Sequence, residues 1–388
     1  MEYYVKIVAL NIKLGETKFD GRASNPRIVW HRKQAVFIQL IDESGQFGWG
    51  ECWTFDSSAD ALIRFIQTEI KQMVIGATID SIADFSQFIS SGSVLSGRHG
   101  MLSAALSGVN CALWDIYAKN SRLPLYKALD SDYQKPSVPV YASGGLYLTG
   151  DSPGSLGDTV KGYVEQGFKT VKLKFGARSF QEDIARISHV RSIISDDISI
   201  ILDAVYSLNK DKASQWLPYW NDWNIQAIQA PFKADDWDAM SWLNRDCKIP
   251  VMVFEAESRY EIFRALLQQE AVGIVQFSPI AVGGIDASIK LIDLAQQFGK
   301  NVSLQCSSTW LAELISMQIA GAHKNIEHVE YHQFHRMMFD TAEPSYRKIQ
   351  DGCIELSSTY GLGFAPPSDF LIDTNDSLPD LGTGKITI

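Results

Sequence analysis

The residues of this sequence whose types and spacing could do chemistry close a series of short apolar runs. Lys172 and Lys174 end VKLK, Asp203 ends ISIILD, Gln229 ends IQAIQ, Glu255 ends PVMVFE, Ser278 ends GIVQFS, Gln305 ends NVSLQ and Glu330 ends EHVE. Lys172 and Lys174 flank Leu173, so on an extended strand both side chains point the same way. Two like charges held together lower each other's proton affinity, which would leave one amine partly neutral near pH 7 and able to act as a general base. Asp203 and Glu255 offer hard oxygen ligands of the kind Mg2+ takes. A divalent cation beside a basic lysine can take a proton from the carbon next to a carboxylate: the cation stabilises the enediolate while the amine accepts the proton. Taken singly, each residue has an ordinary reading, since a strand-end acid often anchors a loop and a lysine pair is often a solvated rim. Two readings therefore stand side by side, a working site and a barrel mouth that has lost its chemistry.

The elements that must position these residues recur at roughly 25-residue intervals, apolar runs alternating with helical segments, which is the beat of βα units. The runs VPVYAS, KTVKLKF, ISIILDA, IQAIQA, PVMVFEA, GIVQFS, NVSLQC and EHVEYH fit a closed parallel TIM-type barrel, whose chemistry sits where strands end and βα loops begin. Before them, residues 2–12 and 35–41 alternate apolar and polar, with a turn at 43–45 and GWGECW beyond, and predict an antiparallel meander. From 58 to about 130 the period is helical, and SAALSGVNCALWDIY reads as a small-residue helix that must pack closely against something. The expected organisation is an α+β module over 1–130, a barrel over 131–350, and a strand-like segment over 351–388 that packs back on the first module.

With 388 residues the chain is long enough for a barrel and a second module. No run approaches the roughly 18 apolar residues of a membrane span and the start lacks a secretory pattern, so a cytoplasmic protein with no membrane role is expected. Five scattered cysteines without a CxxC pair argue against a disulfide framework or zinc cluster. A net charge of −10 with no basic, aromatic-laced patch argues against a nucleic-acid partner, and means that an anionic substrate needs a local positive site such as a metal.

Several stretches resemble the mandelate racemase/muconate lactonizing branch of the enolase superfamily: SGVNCALWDIYAKNSRLPLYKAL, VPVYASGGLY, VKLKFG, IQAPFKADD, VQFSPIAVGGI and DGCIELSSTYGLGF. The resemblance covers about residues 1–365. It implies a modified (β/α)7β barrel under an N-terminal cap completed by the C-terminal segment, a bound Mg2+, a small carboxylate substrate and a homo-oligomer. Carried over position by position, Lys174 matches the base with Lys172 beside it, Asp203 and Glu255 match metal ligands, and Glu330 matches the acid that hydrogen-bonds the substrate carboxylate.

The departures narrow the chemistry. Gln229 stands where the family has the second metal-binding Glu, which removes a charge and should weaken the Mg2+ site. Val205 stands where Asn is common, Ser278 at the sixth-strand base, and Gln305 (or Cys306, one residue on) at the seventh-strand His. None of the last three accepts a proton at neutral pH, so two-base racemisation is disfavoured. A one-base dehydration or isomerisation of a hydroxy or sugar acid survives, with Ser278, Gln305 and Trp53 expected at the substrate. The alternatives are a non-catalytic homologue that keeps the barrel as a small-molecule-binding scaffold, and an enzyme with a rearranged metal site. GRASNP (21–26) and the Trp49–Trp53 segment are candidate lid elements, the two tryptophans equally candidates for cap core. His31, His99, His189, His323, His328, His332 and His335 show no HExxH spacing and are read as structural or substrate-polar groups.

Overall fold

The structure, a computed structural model, describes residues 4–54, 59–92, 99–130, 133–253, 257–334 and 348–374. The alternation near the start does form an antiparallel meander of β1 (Val5–Ser24), β2 (Val29–Asp42) and β3 (Phe47–Cys52). The hairpin between β1 and β2 is longer than the sequence suggests. Residues 21–24 belong to β1, pairing Ala23 with Trp30 and Ser24 with Val29 beyond a register shift that follows Lys18, so only residues 25–28 make the turn.

The small-residue helix is α1 (Met101–Asn120), and its composition follows from what it touches. It lies on β3 so closely that a Cβ on Gly50 would come within 2.0 Å of the Gly108 carbonyl oxygen, and one on Gly48 within 2.1 Å of that of Ala112. Gly108 faces the same contact from the other side, where a Cβ would come within 2.4 Å of the Cys52 sulfur. No larger residue fits at Gly48 or Gly50 without backbone movement, and at Gly108 the Cys52 and Ile38 side chains would have to shift.

Eight parallel strands close the barrel: β4 (Ser137–Ser143), β5 (Thr170–Lys174), β6 (Ser199–Asp203), β7 (Ile225–Gln229), β8 (Val251–Val253), β9 (Ile274–Phe277), β10 (Asn301–Leu304) and β11 (Ile326–His332). Closure is made by β11 against β4, with Val329 opposite Val140 and Glu330 opposite Tyr141. Val171, Leu173, Ile200, Leu202, Val302 and Leu304 pack outward under the helices, while Tyr141, Ile201, Ala227, Met252 and Ile274 fill a separate layer inside. That two-residue alternation decides which polar residues reach the mouth. After the barrel, Cys353–Glu355 pairs antiparallel with β4, and Leu371–Asp373 adds to the cap beside Lys13 to Gly15 of β1. No helix among the described residues is long and apolar enough to cross a membrane.

The Gly50→Ala substitution tests the β3–α1 contact. Forcing a methyl group into backbone should cost about 3 kcal/mol in urea unfolding, whereas the same change at Gly162, where a Cβ meets nothing within 4 Å, should cost almost nothing.

Candidate active site

Alternation from the outward-facing Val171 and Leu173 turns Lys172 and Lys174 into the barrel, where they are 1% and 7% exposed. Register then supplies their partners. Lys174 lies opposite Asp203 on β6 and Asp203 opposite Gln229 on β7. The Lys174 ammonium donates to Asp203 Oδ2, which lies 3.6 Å from the Lys172 nitrogen. Lys172 Nζ donates in turn to Glu330 Oε1 at 2.5 Å and to Gln229 Oε1 at 3.0 Å. The result is an alternating row, Lys174, Asp203, Lys172, Glu330, all of it buried. The two lysines are side by side, as their spacing predicts, but carboxylates interleave them instead of the like charges facing each other bare.

Backbone groups hold the acids in place. Val205 N–H donates to Asp203 Oδ1 at 3.0 Å, and Cys306 N–H to Glu330 Oε2 at 2.8 Å. Burial alone would push the Glu330 carboxyl up; the Lys172 ammonium, by charge and by hydrogen bond, helps to hold it instead at about 2. Two residues beyond Glu330 on the same face of β11 stands His332, 4% exposed. Burial pushes its imidazole well below the usual value; Glu330 opposes this, while the charges of Lys172, Lys33 and Lys174 add to it. A neutral imidazole therefore belongs to the same cluster.

Lys33 comes from the cap. It is 3% exposed and donates to the Ser307 carbonyl, in the loop after β10. Glu51 of β3 reaches the same loop, accepting from Ser308 Oγ at 2.5 Å, from Thr309 Oγ1 and from Ala312 N–H at 3.1 Å. Those donors open helix α2 (Trp310–Ala322), so the cap lays a carboxyl group on a helix N-terminus of the barrel.

The other expected residues fall as follows. Ser278 is buried at the end of β9, where its carbonyl accepts from Ala281 and Val282 N–H. Val302, Leu304 and Cys306 pack in the outer core, so alternation leaves Gln305, not Cys306, on the inner face. Trp49 and Trp53 are both core residues, and Trp53 N–H donates to the Ile280 carbonyl at 3.2 Å, on the seam between cap and barrel. Glu255 and His335 lie outside the described residues. The reading from sequence passed over Lys33 and Glu51, and held His332 only as a structural or substrate-polar group. The two-residue spacing from Glu330 is the local signal for His332; Lys33 and Glu51 had none.

The buried row has a stability consequence. Lys172→Met leaves Glu330 buried without its ammonium and should cost about 3–5 kcal/mol in urea unfolding at pH 7. Adding Glu330→Gln should recover much of that loss. Because Glu330 is held below its ordinary value of 4.5, its contribution is fully present above that pH and disappears as the pH falls through about 2. The penalty of Lys172→Met should shrink over the same acidic window.

Comparison with known proteins places the chain. Residues 26–129 match the mandelate racemase/muconate lactonizing enzyme N-terminal domain, and residues 155–369, more than half of the chain, match the enolase C-terminal domain-like family. Arabinonate dehydratase of Saccharolobus solfataricus is 27% identical over 335 residues, covering 86% of this chain and 88% of that protein. D-Ala-D/L-Ala epimerase of Cytophaga hutchinsonii is 25% identical over 345 residues, covering 87% and 89%. The crystal structure of a racemase from Streptomyces coelicolor with bound magnesium superposes with a TM-score of 0.83 at 20% identity, covering 92% of this chain and 96% of that one. The chain belongs to the mandelate racemase/muconate lactonizing enzyme family of the enolase superfamily.

Proposed function

We propose that this protein removes the proton next to the carboxylate of a hydroxy or sugar acid, with Lys174 as the base, and that the outcome is dehydration or isomerisation. The observation that carries the reading is the buried mouth cluster, in which Lys172 and Lys174 meet Asp203 and Glu330 from neighbouring strands. Relatives that include a sugar-acid dehydratase and an epimerase support the class of reaction. In this reading Lys172, held by Glu330, orients the substrate carboxylate; substrate entry draws Lys174 off Asp203, and once its ammonium has lost a proton to solvent the neutral amine accepts the proton from carbon. Ser278 and Gln305 cannot accept a proton, so abstraction proceeds from the Lys174 face. The protein would take a small carboxylate as its partner and work in the cytoplasm as a homo-oligomer.

The oxygen donors are of the type Mg2+ takes. Asp203 and Gln229 offer oxygens in register on adjacent strands, and Glu255 would be the third ligand. Bound there, Mg2+ would supply positive charge for the developing enediolate. Gln229 is neutral and its Oε1 accepts from Lys172, so binding should be weak for this type of site. The same contacts favour a second reading, a binding scaffold without catalysis, because ammonium groups already sit on both oxygens.

Calorimetric titration of Mg2+ into EDTA-stripped protein separates the two. Saturable binding that Asp203→Ala abolishes supports the enzyme; no binding up to tens of millimolar favours the scaffold. On an identified substrate, Lys174→Ala should lower kcat by about a thousandfold with folding intact, and full activity of that variant would remove Lys174 from its role.

A further inference from the structure

We infer that Arg27, on the turn between β1 and β2, is a positioning residue for Asp203, acting through the backbone that follows this acid. The turn is built to project it: the Asn25 side chain accepts from the N–H groups of Arg27 and Ile28, both at 2.8 Å, and Asn25 N–H donates to the Ile28 carbonyl at 2.9 Å. Arg27 Nε donates to the Val205 carbonyl at 2.8 Å and Nη2 to the Tyr206 carbonyl at 2.6 Å, with the guanidinium 5.9 Å from the centre of the Tyr206 ring.

Those two carbonyls belong to an unusual stretch. Val205 and Tyr206 both have left-handed backbone, with φ of 45° and 59°. A β-branched residue resists that conformation and persists there only when its surroundings hold it. Two contacts do so on the inner side: Val205 N–H on Asp203 Oδ1, and Tyr206 N–H on the carbonyl of Ala230 at 2.7 Å, itself left-handed at φ 43° directly after Gln229. On the outer side the holding group is Arg27. The line from guanidinium to carbonyls to the Val205 amide to Asp203 Oδ1 is continuous. The cap thus fixes the orientation of Asp203 through the backbone that follows it.

The consequence for metal binding rests on the function proposed above, so the test has two readouts. In metal-free protein, hydrogen–deuterium exchange followed by mass spectrometry should show residues 203–208 exchanging about tenfold faster in Arg27→Ala than in the unaltered protein, with the other barrel strands unchanged. Arg27→Lys should be intermediate, because one ammonium does not span two carbonyls as a planar fork does. Adding Val205→Asn to Arg27→Ala should restore slow exchange, since Asn accepts left-handed backbone. Mg2+ titration of the same variants should follow the same order, weaker for Arg27→Ala and recovered by Val205→Asn. If the unaltered protein binds no Mg2+, the proposed function fails while the exchange result still decides the role of Arg27. Unchanged exchange at 203–208, or equal acceleration throughout the barrel, would overturn the inference.

Discussion

Burying an ammonium group without a partner costs several kcal/mol, and β5 buries two of them on one face. Most of the mouth follows from that constraint. Lys172 and Lys174 must have anions within reach, and a closed parallel barrel supplies them only from strand ends at the same height, which is where Asp203 and Glu330 stand. The acids are under the same pressure, and each is held from behind by a backbone N–H, of Val205 and of Cys306. With two ammonium groups against two carboxylates, the cluster is balanced in charge.

The cap joins this balance through charged side chains as well as apolar contact. Arg27, Lys33 and Glu51 each end on a loop that leaves a barrel strand, Arg27 after β6 and the other two after β10. Burial pushes the Glu51 carboxyl up to about 7, against the hydrogen bonds of Ser308, Thr309 and Ala312 and the charge of Lys33. Trp49 and Trp53, on the same seam, supply the apolar part.

The barrel could be read from the sequence because its strands obey local rules. Each of the eight apolar runs contains a barrel strand, and inward residues near the strand ends, Lys172, Lys174, Asp203, Gln229 and Glu330, form the mouth cluster. The helix α1 was legible for a related reason, since Gly108 and its small neighbours make sense only against a close backbone. What sequence spacing does not contain is register between strands. The interleaving of Asp203 and Glu330 among the lysines depends on which residues face each other across β5, β6 and β11, and two lysines read alone suggest bare repulsion. Longer reaches were more hidden still: Arg27 meets its partner carbonyl 178 residues away, Lys33 274 and Glu51 257, and no periodicity links such pairs. The turn at 25–28 shares only Asn25 and Pro26 with the expected GRASNP loop, because β1 continues past its register shift to Ser24.

The central claim is that this mouth takes a proton from carbon beside a carboxylate. The most direct test is to incubate the protein with Mg2+ and a panel of hydroxy and sugar acids in D2O and to follow each acid by mass spectrometry. The account predicts that at least one acid gains a deuterium at the carbon next to its carboxylate or loses a molecule of water. Neither change in any acid, including acids shown to bind, would contradict it and leave the cluster as a binding site alone.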